Sequence, residues 1–149
     1  GNLRRDPFAM KPFCGYNMGD YFQHWCEMGD RLGGMAPRIF YVNWFRKDDS
    51  GRFLWPGFGE NSRVLKWMCE RVEGRAGARA TPIGYLPEEG ALDLEGLDIP
   101  PADMAAILDV DVEAWKAELP DIARHFEQFG EKLPERMQIQ LDELARRLV

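Results

Sequence analysis

The stretch Ile39–Trp67, IFYVNWFRKDDSGRFLWPGFGENSRVLKW, sets the tightest limits on how this chain can fold. Large rings recur through it. Two turn signals, Asp48-Asp49-Ser50-Gly51 and Pro56-Gly57, cut it into short pieces. No single helix or long strand can run through both turns. The rings between them either pack in a core or line a cleft where a flat ligand stacks. Only Tyr85, Trp115, Phe126 and Phe129 follow Trp67 among the aromatics, so the rest of the chain must pack mainly through aliphatic side chains.

Within this stretch, Arg38–Phe45 is β-branched and aromatic without clean alternation, which predicts a strand buried on both faces. Arg46–Arg52 is a polar turn, and Arg52–Trp55 reads as a short return strand. Pro56–Asn61 is an irregular glycine loop. Asn61 or Ser62 then caps a helix with Val64, Leu65, Met68 and Val72 on one face, ending at Gly74.

Before it, Asp6–Phe13 reads as extended, because each proline disfavours a helical residue in front of it. Phe8 and Phe13 would dock that strip on a neighbour. Asn17 is a helix cap, followed by Tyr21, Phe22, Trp25, Met28 and Leu32 at helical spacing, and Gly33-Gly34 breaks the helix. Residues 74–101 form a connector rich in glycine and proline, with a short strand at Ile83–Leu86. After Pro101 the pattern is helical. Met104, Ile107 and Leu108 fit a short helix. Val112, Trp115, Leu119, Ile122, Phe126, Phe129 and Leu133 form a stripe, with a kink or restart expected at Pro120. Met137, Leu141, Leu144 and Leu148 mark a last helix opened by Pro134.

A chain of 149 residues with net charge −6 is about one domain, and its acidity disfavours a nucleic-acid partner. No apolar run approaches the ~18 residues of a membrane span, and no signal peptide is recognisable. Cys14, Cys26 and Cys69 are widely spaced, which suits free thiols in a reducing cytoplasm. The chain opens on Gly1-Asn2 without an initiator Met, so a processed end or a piece of a longer protein is expected.

Four kinds of chemistry can be weighed. A metal site is disfavoured: His24 and Cys26 are two apart, Cys14 is distant, and no zinc spacing occurs. His125 lies in the C-terminal apolar stripe, where packing is the simpler role. A catalytic nucleophile lacks both a G-x-S-x-G motif and a Cys with a paired His. Glu60 beside Asn61 is a polar pair at a helix start, where capping is the simpler role. Gly57–Ser62 leads into a helix that could favour an anion, yet no G-x4-G-K-[ST] is present, and Glu60 would repel a close phosphate. Base stacking remains. Phe45, Phe53 and Phe58 each adjoin turn or glycine residues, where a ring can project into a cleft. A good stack contributes roughly 1–3 kcal/mol and does not choose among bases. An amide such as Asn61 could read a purine edge. Ordinary core packing is the alternative for the same rings.

Asp6–Phe13 with Gly15-Tyr16-Asn17 resembles the signature of GTP-dependent phosphoenolpyruvate carboxykinases. Phe40–Arg46 and Arg52–Arg63, FLWPGFGENSR above all, are similar to the guanine-binding segment of that family. Thr81–Gly84 and Phe129–Pro134 resemble its C-terminal region. The resemblance runs from about Arg4 to the chain's end. It implies an α+β, α/β-derived fold: the helix-rich C-terminal part of a larger carboxykinase domain. Strands are expected near 38–45, 52–55 and 82–86, and helices near 17–32, 61–73, 102–108, 111–130 and 134–148. Residues 1–149 would be a single C-terminal fragment: an aromatic-rich guanine-site part (1–73), a connector (74–101) and a helical scaffold (102–149).

The resemblance further implies a parent reaction, oxaloacetate plus GTP to phosphoenolpyruvate, carbon dioxide and GDP, in gluconeogenesis, with Mn2+ or Mg2+. It places Phe45, Phe53 and Phe58 around guanine, Asn61 at the guanine edge, and Trp44 as supporting packing. Family members are several times longer. Their phosphate loop, metal ligands and oxaloacetate-binding arginines lie upstream and have no counterpart here, so no catalytic and no metal residue is expected in this chain. GTP or GDP and the upstream part of the enzyme are the expected partners, without nucleic acid or membrane. Apolar surface at Phe8, Phe13 and Ile39–Phe45 predicts self-association. A non-catalytic nucleotide-binding or protein-interaction module is the alternative, and an RNA binder is disfavoured by charge.

Overall fold

The computed structural model describes residues 11–149. Five α-helices and one two-stranded antiparallel hairpin are found among them: α1 (Met18–Leu32), α2 (Asn61–Val72), β1 (Arg79–Thr81), β2 (Gly84–Leu86), α3 (Pro101–Leu108), α4 (Val112–Glu127) and α5 (Glu135–Arg147). This is the expected α+β class, weighted towards helix. By their contacts the residues group into two units, the described part of Gly1–Pro37 with Asp111–Val149, and Arg38–Val110.

The first unit is helical. Asn17 caps α1, its Oδ1 accepting from Gly19 N at 2.7 Å, and its Nδ2 donates to the Phe129 carbonyl at 3.2 Å. Phe129 is buried and stands nearly perpendicular to Phe22 (ring centroids 5.2 Å) and His125 (5.3 Å). His125 also faces Gln128, its Nδ1 2.7 Å from Gln128 Nε2. The start of α1 passes so close to the turn at Gly130–Lys132 that a Cβ on Gly19 would lie 2.6 Å from the Lys132 carbonyl carbon. Arg136 of α5 holds Asp30 of α1 through two bonds of 3.0 and 3.1 Å. α4 continues through Pro120 without a restart, with Asp111 as its cap. Asp6–Met10 and Phe8 lie outside the described residues. Lys11–Phe13 is a 3-10 turn with Phe13 exposed, so this end of the expected extended strip is turned.

The second unit contains Arg38–Val110. Leu54, Trp55, Trp67 and Leu92 are its buried apolar side chains. Trp67 donates to the Gly77 carbonyl at 3.2 Å and meets Phe40 edge-on at 6.1 Å. Two expected strands are corrected here. Residues 38–45 form no strand, and Ile39 and Tyr41 are exposed rather than buried on both faces. A strand needs a hydrogen-bonded neighbour, and none of the described residues pairs with this one. Residues 52–55 contribute one bridge, Phe53 to Lys47, because the tight turn between them brings only that pair into register. The third expected strand, near 82–86, forms as β2, and its partner β1 is a strand that composition does not signal. Gly84, at φ 131°, makes the turn between them possible.

Candidate functional site

The turn between Phe45 and Phe53 is built from short-range bonds. Asn43 Oδ1 accepts from Phe45 N at 3.0 Å. Asp48 N donates to the Arg52 carbonyl and Leu54 N to the Arg46 carbonyl, each at 3.0 Å. Asp48 Oδ1 gathers Ser50 N, Ser50 Oγ and Arg52 N at 3.0, 2.6 and 3.0 Å. Those bonds, Ser50 first, hold the Asp48 carboxyl below the usual carboxylate range.

Two arginines then fix this turn to α3. Arg46 donates to the carbonyls of Ile107 and Asp109 at 3.3 and 3.2 Å, at the helix end where carbonyls lack helical partners. Arg52 grips Asp103 with bonds of 2.7 and 3.0 Å. That hydrogen-bonded contact lowers the Asp103 pKa and raises that of Arg52.

On this mount Phe45 and Phe53 stand side by side, centroids 6.1 Å apart and planes 61° apart. Phe45 is 73% exposed and Phe53 49%. The Lys47 ammonium lies 4.7 Å from the Phe53 ring centroid, a cation–π contact. Trp44 sits in the same turn, half-buried. The structure therefore brings Phe45 and Phe53 together.

Phe58 is held differently. It follows Gly57, at φ 81°, and has φ 46° itself, the one non-glycine residue at positive φ among the described residues. An aromatic residue there is strained. Its ring is 96% exposed and makes no ring contact among the described residues. The chain holds a large apolar ring in solvent at a conformational cost.

Asn61 opens α2, but its side chain is no cap. The 3-10 turn Phe58–Glu60 leads directly into the helix, and Glu60 occupies the cap position without a side-chain cap bond. The Asn61 Oδ1 instead accepts from Trp55 Nε1 at 2.9 Å. Glu60 is occupied by Arg63, whose Nε donates to it at 2.5 Å. Ser62 Oγ donates to the Gly59 carbonyl at 2.6 Å. Trp55, Arg46 and Arg52 were not singled out by spacing. Trp55 carries a legible signal: an indole N–H only donates, so a tryptophan that is buried needs an acceptor.

A recess of about 300 Å³ lies in the helical unit, lined by Cys14, Tyr16, Asn17, Met18, Gln128 and Phe129. The Asn17 amide there is already engaged by Gly19 and Phe129. Among the described residues no three His, Cys, Asp or Glu side chains gather to hold a metal ion. Cys14, Cys26 and Cys69 are free.

The family model described as "Phosphoenolpyruvate carboxykinase C-terminal P-loop domain" matches residues 1–147. The chain belongs to this carboxykinase family. It is 59% identical over 150 residues to a protein of Neocallimastix frontalis named phosphoenolpyruvate carboxykinase [GTP]. Proteins of the same name from Corynebacterium efficiens and Treponema pallidum are 51% identical over 148 residues and 49% over 150. Each match covers 99% of this chain and 24% of the relative, so the chain spans about a quarter of the length of these carboxykinases. The family description names a P-loop, whereas this sequence contains no G-x4-G-K-[ST].

Proposed function

We propose that this chain supplies the guanine-recognising part of a GTP-dependent phosphoenolpyruvate carboxykinase. Phe45, Phe53 and Phe58 would stack on the base, Asn61 would read its edge, and Trp44 would support the turn. The observation that carries this reading is Phe58. A ring fully in solvent on a strained backbone is poorly explained by packing and well explained by a ligand that covers it. The mounted Phe45–Phe53 pair supports it, and the relatives' printed name, with GTP in it, supplies the nucleotide.

The reaction of the whole enzyme, oxaloacetate plus GTP to phosphoenolpyruvate, carbon dioxide and GDP, would use Mn2+ or Mg2+. It would draw its phosphate and metal groups from the part of the relatives that this chain does not span. The 149-residue chain alone should therefore not convert oxaloacetate with GTP and manganese. Three free cysteines suit a reducing compartment such as the cytoplasm.

Tryptophan fluorescence, titrated with GDP and ADP, tests the base reading. A GDP-selective response that is lost in Phe53→Ala supports it. Equal responses to the two nucleotides, or none, sink it in favour of a scaffold or interaction module.

The exposed Ile39 and Tyr41 favour one further property, self-association through the unpaired 38–45 segment. Light scattering at high concentration should show more than monomer, and a clean monomer would refute this.

A further inference from the structure

We infer that Trp55 is a positioning residue for base selectivity: it turns the donor end of the Asn61 amide towards the base. The inference rests on the proposed guanine site and goes beyond it to how that site rejects adenine. Trp55 is buried, 7% exposed, and its indole N–H can only donate. The acceptor it finds is Asn61 Oδ1, at 2.9 Å. An amide with its oxygen committed to Trp55 must present its Nδ2 elsewhere. That Nδ2 donates to no group among the described residues, and no buried side-chain polar atom among them lacks a partner, so the donor is open to solvent.

An outward N–H2 discriminates between purines. Guanine carries an acceptor, O6, where adenine carries a donor, the 6-amino group. A fixed donor accepts a 6-keto purine and meets a 6-amino purine donor to donor. Were the amide free to turn over, its oxygen could accept from adenine and the distinction would fade. Stacking rings cannot supply this choice. In Asn61 alone the two ends of the amide are nearly the same size, so the selectivity resides in whatever fixes the flip.

The test compares GDP, IDP and ADP binding to the chain and to Trp55→Phe, which keeps a ring and removes the N–H. IDP has the 6-keto group without the 2-amino group. The expected result is that GDP and IDP weaken together while ADP holds or improves, so that the GDP-to-ADP preference falls about tenfold, the worth of one hydrogen bond. Equal weakening of all three nucleotides, or no change in the preference, overturns the inference while the guanine site stands. A chain with no preference before substitution overturns the site itself and this inference with it.

A second arm separates orientation from packing. In Asn61→Asp both ends of the side chain are oxygens, so there is no flip to fix. Adding Trp55→Phe to that background should leave the GDP-to-ADP ratio unchanged, and a further fall would count against the inference. If Trp55→Phe does not fold, nitrogen-edited NMR of Asn61→Asp decides. One of the five tryptophan indole protons should move downfield on gaining a charged acceptor. No moved indole proton overturns the inference.

Discussion

Arg52 reaches across 51 positions of sequence to hold both carboxylate oxygens of Asp103, at 2.7 and 3.0 Å. The pair ties the turn carrying Phe53 to the first turn of α3. It makes the placement of an aromatic ring depend on a carboxylate that spacing alone would not connect to it.

Asp103→Asn should therefore lower stability in a pH-dependent way. The Asp103 pKa is lowered in the folded chain, chiefly by the Arg52 hydrogen bonds. The unfolded chain then binds the extra proton first, so the contribution is complete above the unfolded value of about 3.9 and is lost as pH falls through the lower folded value. Arg52 is half-exposed, so solvent screens the pair and the effect is modest. Melting curves should show the variant below the natural chain near neutral pH, with the gap closing as pH falls below the unfolded carboxylate value of about 3.9. A gap of constant size would mean that the pair contributes packing and not charge.

Phe58→Gly should separate stability from binding. Replacing a residue at φ 46° removes strain of about 1–2 kcal/mol, offset by roughly 0.4–1 kcal/mol of added freedom in the unfolded chain. The fold should be unchanged or stabilised by up to about 1.5 kcal/mol. GDP affinity should fall, by roughly tenfold for one lost stack. Denaturant midpoints and GDP titrations measure the two sides. A clear loss of stability would show that the exposed ring contributes to folding and weaken the case that it serves a ligand.

Much of this arrangement was legible in the sequence, and what was not has a common cause. The helices followed from local signals: Asn17 before an apolar stripe, Gly33-Gly34 after it, Pro101 and Pro134 at helix starts. Arg38–Phe45 reads as a strand although it forms none, because β-branched and aromatic composition reports that a segment is suited to pairing. It does not report whether a partner is there. Asn61 or Ser62 fits the cap of α2 by residue type and position, yet neither side chain caps it. The 3-10 turn at Phe58–Glu60 brings Asn61 to Trp55, six residues earlier, and the indole takes its oxygen. Arg46 and Arg52 act on α3 through contacts that form only when the chain is folded, which no local pattern encodes. Phe45 and Phe53 stood out as neighbours of turn residues, and their shared position follows from the single Lys47–Phe53 bridge.

The helical unit yields a prediction in which one substitution, made twice in one helix, acts in opposite directions. Gly19 and Gly29 both lie in α1. Alanine normally favours a helix over glycine by roughly 0.5–1 kcal/mol. At Gly29 nothing lies within 4 Å of an added Cβ, so Gly29→Ala should gain that amount. At Gly19 the same methyl would lie 2.6 Å from the Lys132 carbonyl carbon and 2.7 Å from Lys132 Cβ. The first of these is backbone, fixed in the turn that also presents Phe129 to the core and Lys132 to Asp20 at 3.0 Å. It can yield only by moving α1 off that turn, an overpacking cost of about 1–3 kcal/mol that outweighs the helix gain. Thermal melts should rise for Gly29→Ala and fall for Gly19→Ala. Equal rises would show that α1 does not sit against the turn at Gly130–Lys132.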